Sequence, residues 1–224
     1  MALTRPHHLI GSAADLLPEE LFRINPYAKA AIFDFDCTVA DHGATELPPD
    51  SLDMFIRLGR AGIWVFGSTN IYGEEAYERQ RMLRRLRGPQ TGERVIVETV
   101  IPETVTPAGG DPHKFKKPAS YMPAYILNTY GLKADRVFMI GDQQRSDMKS
   151  VEPLGIHRIL TDKRGEADHS IVRFNRPIEE LQRHLGGYGF FPPALTSIED
   201  WMSLSFAQRL AIDRQRRQPI DISD

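Results

Sequence analysis

Short apolar runs recur along the chain, and each ends in polar residues that can do chemistry. Ala30-Ala31-Ile32-Phe33, Ile63-Trp64-Val65-Phe66 and Val137-Phe138-Met139-Ile140 are of this kind. Runs of this length bounded by turn signals read as buried strands. The pattern predicts strands over 29–35, 63–67, 94–101, 136–140 and 156–160. Between them it predicts helices over 48–60, 74–87, 119–130 and 146–154. Residues 94–101 alternate, with Val95, Val97 and Thr99 on one side. The 48–60 segment opens on Pro48-Pro49-Asp50 and carries Leu52, Phe55, Ile56 and Leu58 at helical spacing. Strands alternating with helices predict a Rossmann-like α/β fold, a parallel sheet with helices on both faces. No internal repeat is visible. We divide the chain into a lead segment (1–28), one catalytic domain (29–185) and a C-terminal linker and helix (186–224) that packs on the core or on a partner.

The strand ends carry the candidate chemistry. The first delivers Asp34-Phe35-Asp36-Cys37-Thr38. Two carboxylates two residues apart share one side of an extended segment. They repel unless a cation or shared proton holds them. Taken alone, such a stretch also reads as a helix cap or turn. The second strand ends in Ser68-Thr69-Asn70, and Lys116-Lys117-Pro118 follows later. The strand 136–140 ends in Gly141-Asp142, with Asp147 five residues on. Ligands in open α/β sheets bind at such carboxyl ends. Together the set supplies a carboxylate nucleophile (Asp34), a proton donor and acceptor (Asp36), phosphoryl-binding groups (Thr69, Lys117) and acids for a hard divalent cation (Asp142, Asp147).

In this order the four elements resemble the haloacid dehalogenase-like (HAD) phosphatases: DxDxT, strand-Ser/Thr, Lys, then GDxxxxD. Leu17-Pro18-Glu19-Glu20 ahead of the first strand and Ile171-Val172-Arg173-Phe174-Asn175-Arg176 after the last are similar to the flanks of the YqeG-type HAD-IIIA branch, which includes phosphatidylglycerophosphate phosphatases. The resemblance covers about residues 14–185. It implies a Mg²⁺ cofactor held by Asp34, Asp142 and the backbone carbonyl of Asp36, with Asp147 in support. It implies substrate contacts from Thr69, Asn70 and Lys117. The chain departs from the branch at Cys37, where Asn is usual, and at Ser68-Thr69-Asn70, where Ser-Asn-Asn is common. The span from Asn70 to Lys117 is longer than the branch has, which predicts an insertion near Gly88 to Pro112.

Composition narrows the alternatives. A chain of 224 residues with 41% apolar and 26% charged residues is an ordinary globular composition. A net charge of −2 gives no basis for bulk attraction to nucleic acid. No run approaches the ~18 apolar residues that span a bilayer, and Met1 to Leu9 has no apolar signal region. The single cysteine forms no internal disulfide and fits a reducing, cytoplasmic compartment. It is not a cysteine-phosphatase nucleophile, because the arginine that Cys-x5-Arg needs is Gly43 here. The seven histidines show no metal-ligand spacing, and His7-His8 reads as a mobile surface pair. Neither GxxxxGK[ST] nor GxGxxG occurs, against a nucleotide kinase or dehydrogenase.

The gaps after Asp36 and Asn70 leave room for a minimal cap at most. A nearly open site suits a bulky phosphate monoester, including a lipid headgroup with peripheral contact at a membrane. The leading reading is thus a Mg²⁺-dependent phosphomonoesterase acting on phosphatidylglycerophosphate or a related ester. Alternatives are a HAD phosphatase of nucleotide, sugar or protein phosphates, and a catalytically quiet interaction protein. The helix 74–87 places Glu74, Glu75 and Glu78 first and Arg79, Arg81, Arg84, Arg85 and Arg87 last, as the helix dipole favours. It reads as a solvated face, or else as a docking surface for anionic lipid. After the turn-rich linker Gly186 to Pro193, Thr196-Ser197-Ile198-Glu199 reads as a helix start, with Ile198, Trp201, Met202, Leu204, Phe206, Leu210 and Ile212 on one apolar face. Arg214 to Asp224 is polar and reads as mobile. The lipid-docking reading predicts that charge reversal at Arg84 and Arg85 weakens binding to anionic vesicles in a sedimentation assay. Unchanged binding would remove it.

Overall fold

The computed structural model describes residues 4–44, 46–88, 92, 94–165, 170–186 and 188–216, without side-chain detail for 170–175 and 216. Among these residues, seven strands form one sheet: β1 (His8–Ile10), β2 (Ala30–Asp34), β3 (Trp64–Ser68), β4 (Glu98–Val100), β5 (Val137–Gly141), β6 (His157–Thr161) and β7 (Thr196–Ser197). Their order is β4-β3-β2-β5-β6-β1-β7. All neighbours are parallel except β7, which runs antiparallel to β1. The helices are α1 (Pro18–Ile24), α2 (Pro49–Arg60), α3 (Glu74–Arg85), α4 (Pro102–Val105), α5 (Tyr121–Tyr130), α6 (Lys149–Val151), α7 (Ser170–Leu185), α8 (Ile198–Ser203) and α9 (Phe206–Arg216).

The central strands are apolar throughout because both sheet faces are covered. Alternate residues enter two different cores. Ala31, Phe33, Phe138 and Ile140 pack with Met54, Phe55 and Leu58 of α2 and Leu83 of α3. Ala30, Ile32, Val137 and Met139 pack with Met122 and Ile126 of α5 and Ile198 and Trp201 of α8. From β2 the chain moves outward to β3 and β4, then returns to the other side of β2 for β5 and β6. That reversal opens a crevice beyond the carboxyl ends of β2 and β5.

Several elements differ from the sequence expectation. The strand expected over 94–101 shortens to β4. Val95 and Ile96 are successive yet enter the same apolar cluster, so alternation breaks there. An isolated antiparallel bridge joins Arg87 to Arg94 instead. The helix expected over 146–154 becomes a wide π-helical turn (Gln144–Met148), α6 and a 3-10 turn (Glu152–Leu154). Pro153 lacks the N–H that would continue an α-helix, and the wide turn aims Asp147 inward. Strand β1 and helix α7 were not expected. His7-His8 is not a mobile pair: His8 lies in β1, and the His7 ring accepts a hydrogen bond from the Arg158 backbone N–H at 3.2 Å. Burial lowers both imidazoles to about 4, so each is neutral at pH 7.

The tail folds back onto the sheet through β7. Ser197 caps α8, accepting from the Asp200 N–H at 3.1 Å. The single apolar helix expected from Ser197 onward is two helices. Ser205 and Gln208 form a reciprocal capping pair that starts α9 afresh. Phe206 consequently stands 62% exposed while Trp201 is buried. No helix among the described residues is long and apolar enough to cross a membrane. Within the expected insertion, residues 89–91 and 93 lie outside the described residues. So do Gly187 of the linker and 217–224 of the tail. Because Trp201 fills a core shared with the sheet, Trp201→Ala should cost about 3–5 kcal/mol in urea unfolding. A loss under about 1 kcal/mol would mean that the tail is not part of the cooperative core.

Candidate active site

Asp34 is the last residue of β2 and pairs in register with Ser68, the last residue of β3. Phe33 is level with Ile140, so Gly141 ends β5 beside Asp34 and Asp142 follows it. Lys117 enters this crevice from the 112–118 segment. Its ammonium donates to Asp34 Oδ1, to Asp147 Oδ1 at 2.7 Å and to the Ser68 carbonyl at 3.1 Å. Asn70 fixes the Lys117 backbone on both sides. Its Oδ1 accepts from the Lys117 N–H at 2.7 Å, and its Nδ2 donates to the Lys117 carbonyl at 3.1 Å. Gly141 is a requirement of space: a Cβ there would collide with the Asp147 carboxylate. The Asp147 carboxylate also accepts from the Gln143 N–H at 3.1 Å.

Asp142 is fully buried and held from two sides. Arg176 Nη2 donates to Oδ2 at 2.6 Å, and Thr38 Oγ1 donates to Oδ1 at 3.2 Å. Arg176 comes from α7. One turn on, Glu179 accepts from the Gln144 backbone N–H. Helix α7 therefore clamps the loop that carries Asp142 and Asp147. Sequence reading assigned no role to Arg176 or Glu179. Their i,i+3 spacing on an amphipathic segment was the available signal.

Asp36 has partners of its own. Both of its oxygens accept from Arg79 Nη1 at 2.7 Å, and Thr69 Oγ1 donates to Oδ2 at 3.3 Å. Thr69 and Asn70 thus contact Asp36 and Lys117, respectively. Arg79 is buried, unlike the exposed Arg84 and Arg85, so the solvated-face reading of 74–87 fails at that one position. Asp34 itself is only 6% exposed.

Oxygens of Asp34, Asp142 and Asp147 lie within 4.8 Å of one another, and all three residues are buried. The Lys117 and Arg176 cations cannot neutralise all three carboxylates. The Asp34 carboxyl is pushed well above the ordinary range by burial and by the Asp147 charge, with Lys117 opposing. Burial raises Asp142 to about 6 against the pull of Arg176. Burial would lower Lys117, but Asp147 and Asp34 outweigh it and hold the ammonium above the usual lysine range. A cluster so short of positive charge and so rich in carboxylate oxygen fits a hard divalent cation. The Asp36 carboxylate is not a member of this triad.

Residues 114–179, which include Lys117, Asp142, Asp147, Arg176 and Glu179, match a family model described as HAD-hydrolase-like. No curated protein matches the chain. Among solved structures, it is similar to a D,D-heptose 1,7-bisphosphate phosphatase from B. bronchiseptica complexed with magnesium and phosphate, at 20% identity and a TM-score of 0.45, over 61% of this chain and 82% of that one. A putative HAD-like phosphatase from Mesorhizobium loti aligns at 20% identity and a TM-score of 0.44, over 97% of this chain and 98% of that one. The putative HAD-hydrolase YfnB from Bacillus subtilis, bound to magnesium, aligns at 16% identity and 0.40, over 57% and 50%.

The raised Asp142 pKa has a consequence for the metal-free protein. Between the ordinary value of 3.8 and about 6, folded Asp142 holds a proton that the unfolded chain has lost. Its contribution to stability therefore falls as pH rises through that window. In EDTA, the wild type should lose on the order of 2 kcal/mol relative to Asp142→Asn between about pH 4 and pH 7. Parallel unfolding free energies across that range would contradict the assignment.

Proposed function

We propose that this chain is a Mg²⁺-dependent phosphomonoester hydrolase acting through an aspartyl-phosphate on Asp34. The observation that carries the reading is the buried cluster in which Lys117 bridges Asp34 and Asp147 beside Asp142. A protein that only binds partners has no need to bury three carboxylates in one cluster, at a cost in desolvation.

An oxygen of Asp34 attacks phosphorus while the ester oxygen departs. Asp36 gives that oxygen a proton, then takes one from the water that cleaves the acyl phosphate. Lys117 offsets charge on the transferring group and fixes the orientation of Asp34. Thr69, through its hydroxyl on Asp36, steadies the proton carrier. Asn70 acts on substrate by holding Lys117 in place. Asp34, Asp142 and the Asp36 carbonyl would hold Mg²⁺, with Asp147 in support, and the ion would supply further neutralisation of phosphoryl charge.

For substrate we propose phosphatidylglycerophosphate or a related phosphate monoester, as the YqeG-type HAD-IIIA resemblance implies, in a cytoplasmic setting with peripheral membrane contact. A second reading, a small soluble phosphate such as a sugar or nucleotide monoester, is favoured by the slight exposure of Asp34. The test is phosphate release from a panel spanning both classes, with Mg²⁺ or EDTA, beside Asp34→Asn. We expect Mg²⁺-dependent release that falls at least ~10³-fold in a folded Asp34→Asn protein. Release that survives the substitution would refute the nucleophile, and the preferred compound decides between the substrate classes.

A further inference from the structure

Arg79 is the one buried arginine of α3, and its position is over-determined. The guanidinium stacks 4.7 Å over the Phe35 ring, next to Asp36 in sequence. Nη1 donates to both Asp36 oxygens at 2.7 Å, and Nη2 donates to the Ala44 carbonyl at 3.4 Å. The i,i+4 partner expected from sequence, Glu75, is 3.9 Å away and mostly exposed, so it is the weaker attachment. The other groups around Asp36 are more distant: Thr69 Oγ1 at 3.3 Å, the Gly43 N–H at 3.4 Å and His42 Nδ1 at 3.5 Å. Charge-assisted contacts of 2.7 Å in a buried setting are the strongest of these.

We infer that Arg79 is the positioning residue for proton transfer by Asp36. The inference rests on the phosphatase reading above. In the step concerned, the Asp34 oxygen–phosphorus bond forms and the phosphorus–ester oxygen bond breaks. The proton on Asp36 passes to the departing oxygen, leaving an alcohol and the Asp36 carboxylate. Arg79 touches neither phosphorus nor the departing oxygen. It sets where the Asp36 oxygens stand when the bond breaks.

Leaving groups separate this role from simple support of the fold. An alkoxide needs the proton to depart, whereas a nitrophenolate leaves without it. Arg79→Met keeps the length and the packing on Phe35 but removes the donors. We expect kcat/KM for an alkyl phosphate to fall ~30-fold or more in Arg79→Met, within the ~10²–10⁴ that acid–base catalysis supplies. For 4-nitrophenyl phosphate it should fall less than ~3-fold. Arg79→Lys, which restores a donor, should recover part of the alkyl rate. The ratio of the two rates does not depend on the fraction of folded enzyme, so partial misfolding cannot produce the result. Equal losses on both substrates, or none on either, would overturn the inference while leaving the phosphatase reading intact. No Mg²⁺-dependent release by the wild type from either substrate would overturn both.

Discussion

One ammonium group organises this molecule. Lys117 reaches between Asp34 on β2 and Asp147 after β5 and donates to the end of β3 as well. Without it, the first two would be like charges buried side by side, which costs several kcal/mol per ion. With it, three strand ends are tied at a single point. Much of the surrounding sequence serves this contact. Asn70 grips the lysine backbone, the wide turn after Gln143 returns Asp147 over Gly141, and α7 pins the same loop through Arg176 and Glu179.

The topology explains why these groups meet. Strands β2 and β5 are neighbours in space although about a hundred residues separate them, because the chain departs in opposite directions from β2. The crevice that results is walled by backbone that already pairs in the sheet. The side chains at its mouth are thus the groups free to act, and parallel strands bring all of them to one edge. On the proposed reading, the surplus negative charge at that edge would be met by a divalent cation, which would also offset the charge of phosphate oxygens.

Much of this was legible in the sequence, for physical reasons that also mark the limits. The central strands are buried on both faces, so they appear as unbroken apolar runs, and the acids stand out at their ends. Asp34, Lys117, Asp142 and Asp147 were therefore readable, and the structure brings them together. Strand β1 is three residues long and begins on a histidine, too short to register as an apolar run. Helix α7 matters through single contacts of Arg176 and Glu179 rather than through its pattern. Arg79 hid among five arginines, since charge runs on helices usually face water and only burial distinguishes it. Cys37 shows the same limit. Its φ of +61° is a left-handed conformation that Asn tolerates better, and no apolar or polar pattern announces it.

The central claim is that Asp34 becomes phosphorylated during turnover. The most direct test is an acid quench of the Mg²⁺-loaded enzyme within milliseconds of mixing with a turnover substrate, followed by borohydride reduction and peptide mass spectrometry. An acyl phosphate is reduced to an alcohol, so the account predicts homoserine at position 34 and unmodified aspartate at 36, 142 and 147. Turnover with unmodified Asp34, or with the mark on another carboxylate, would contradict it.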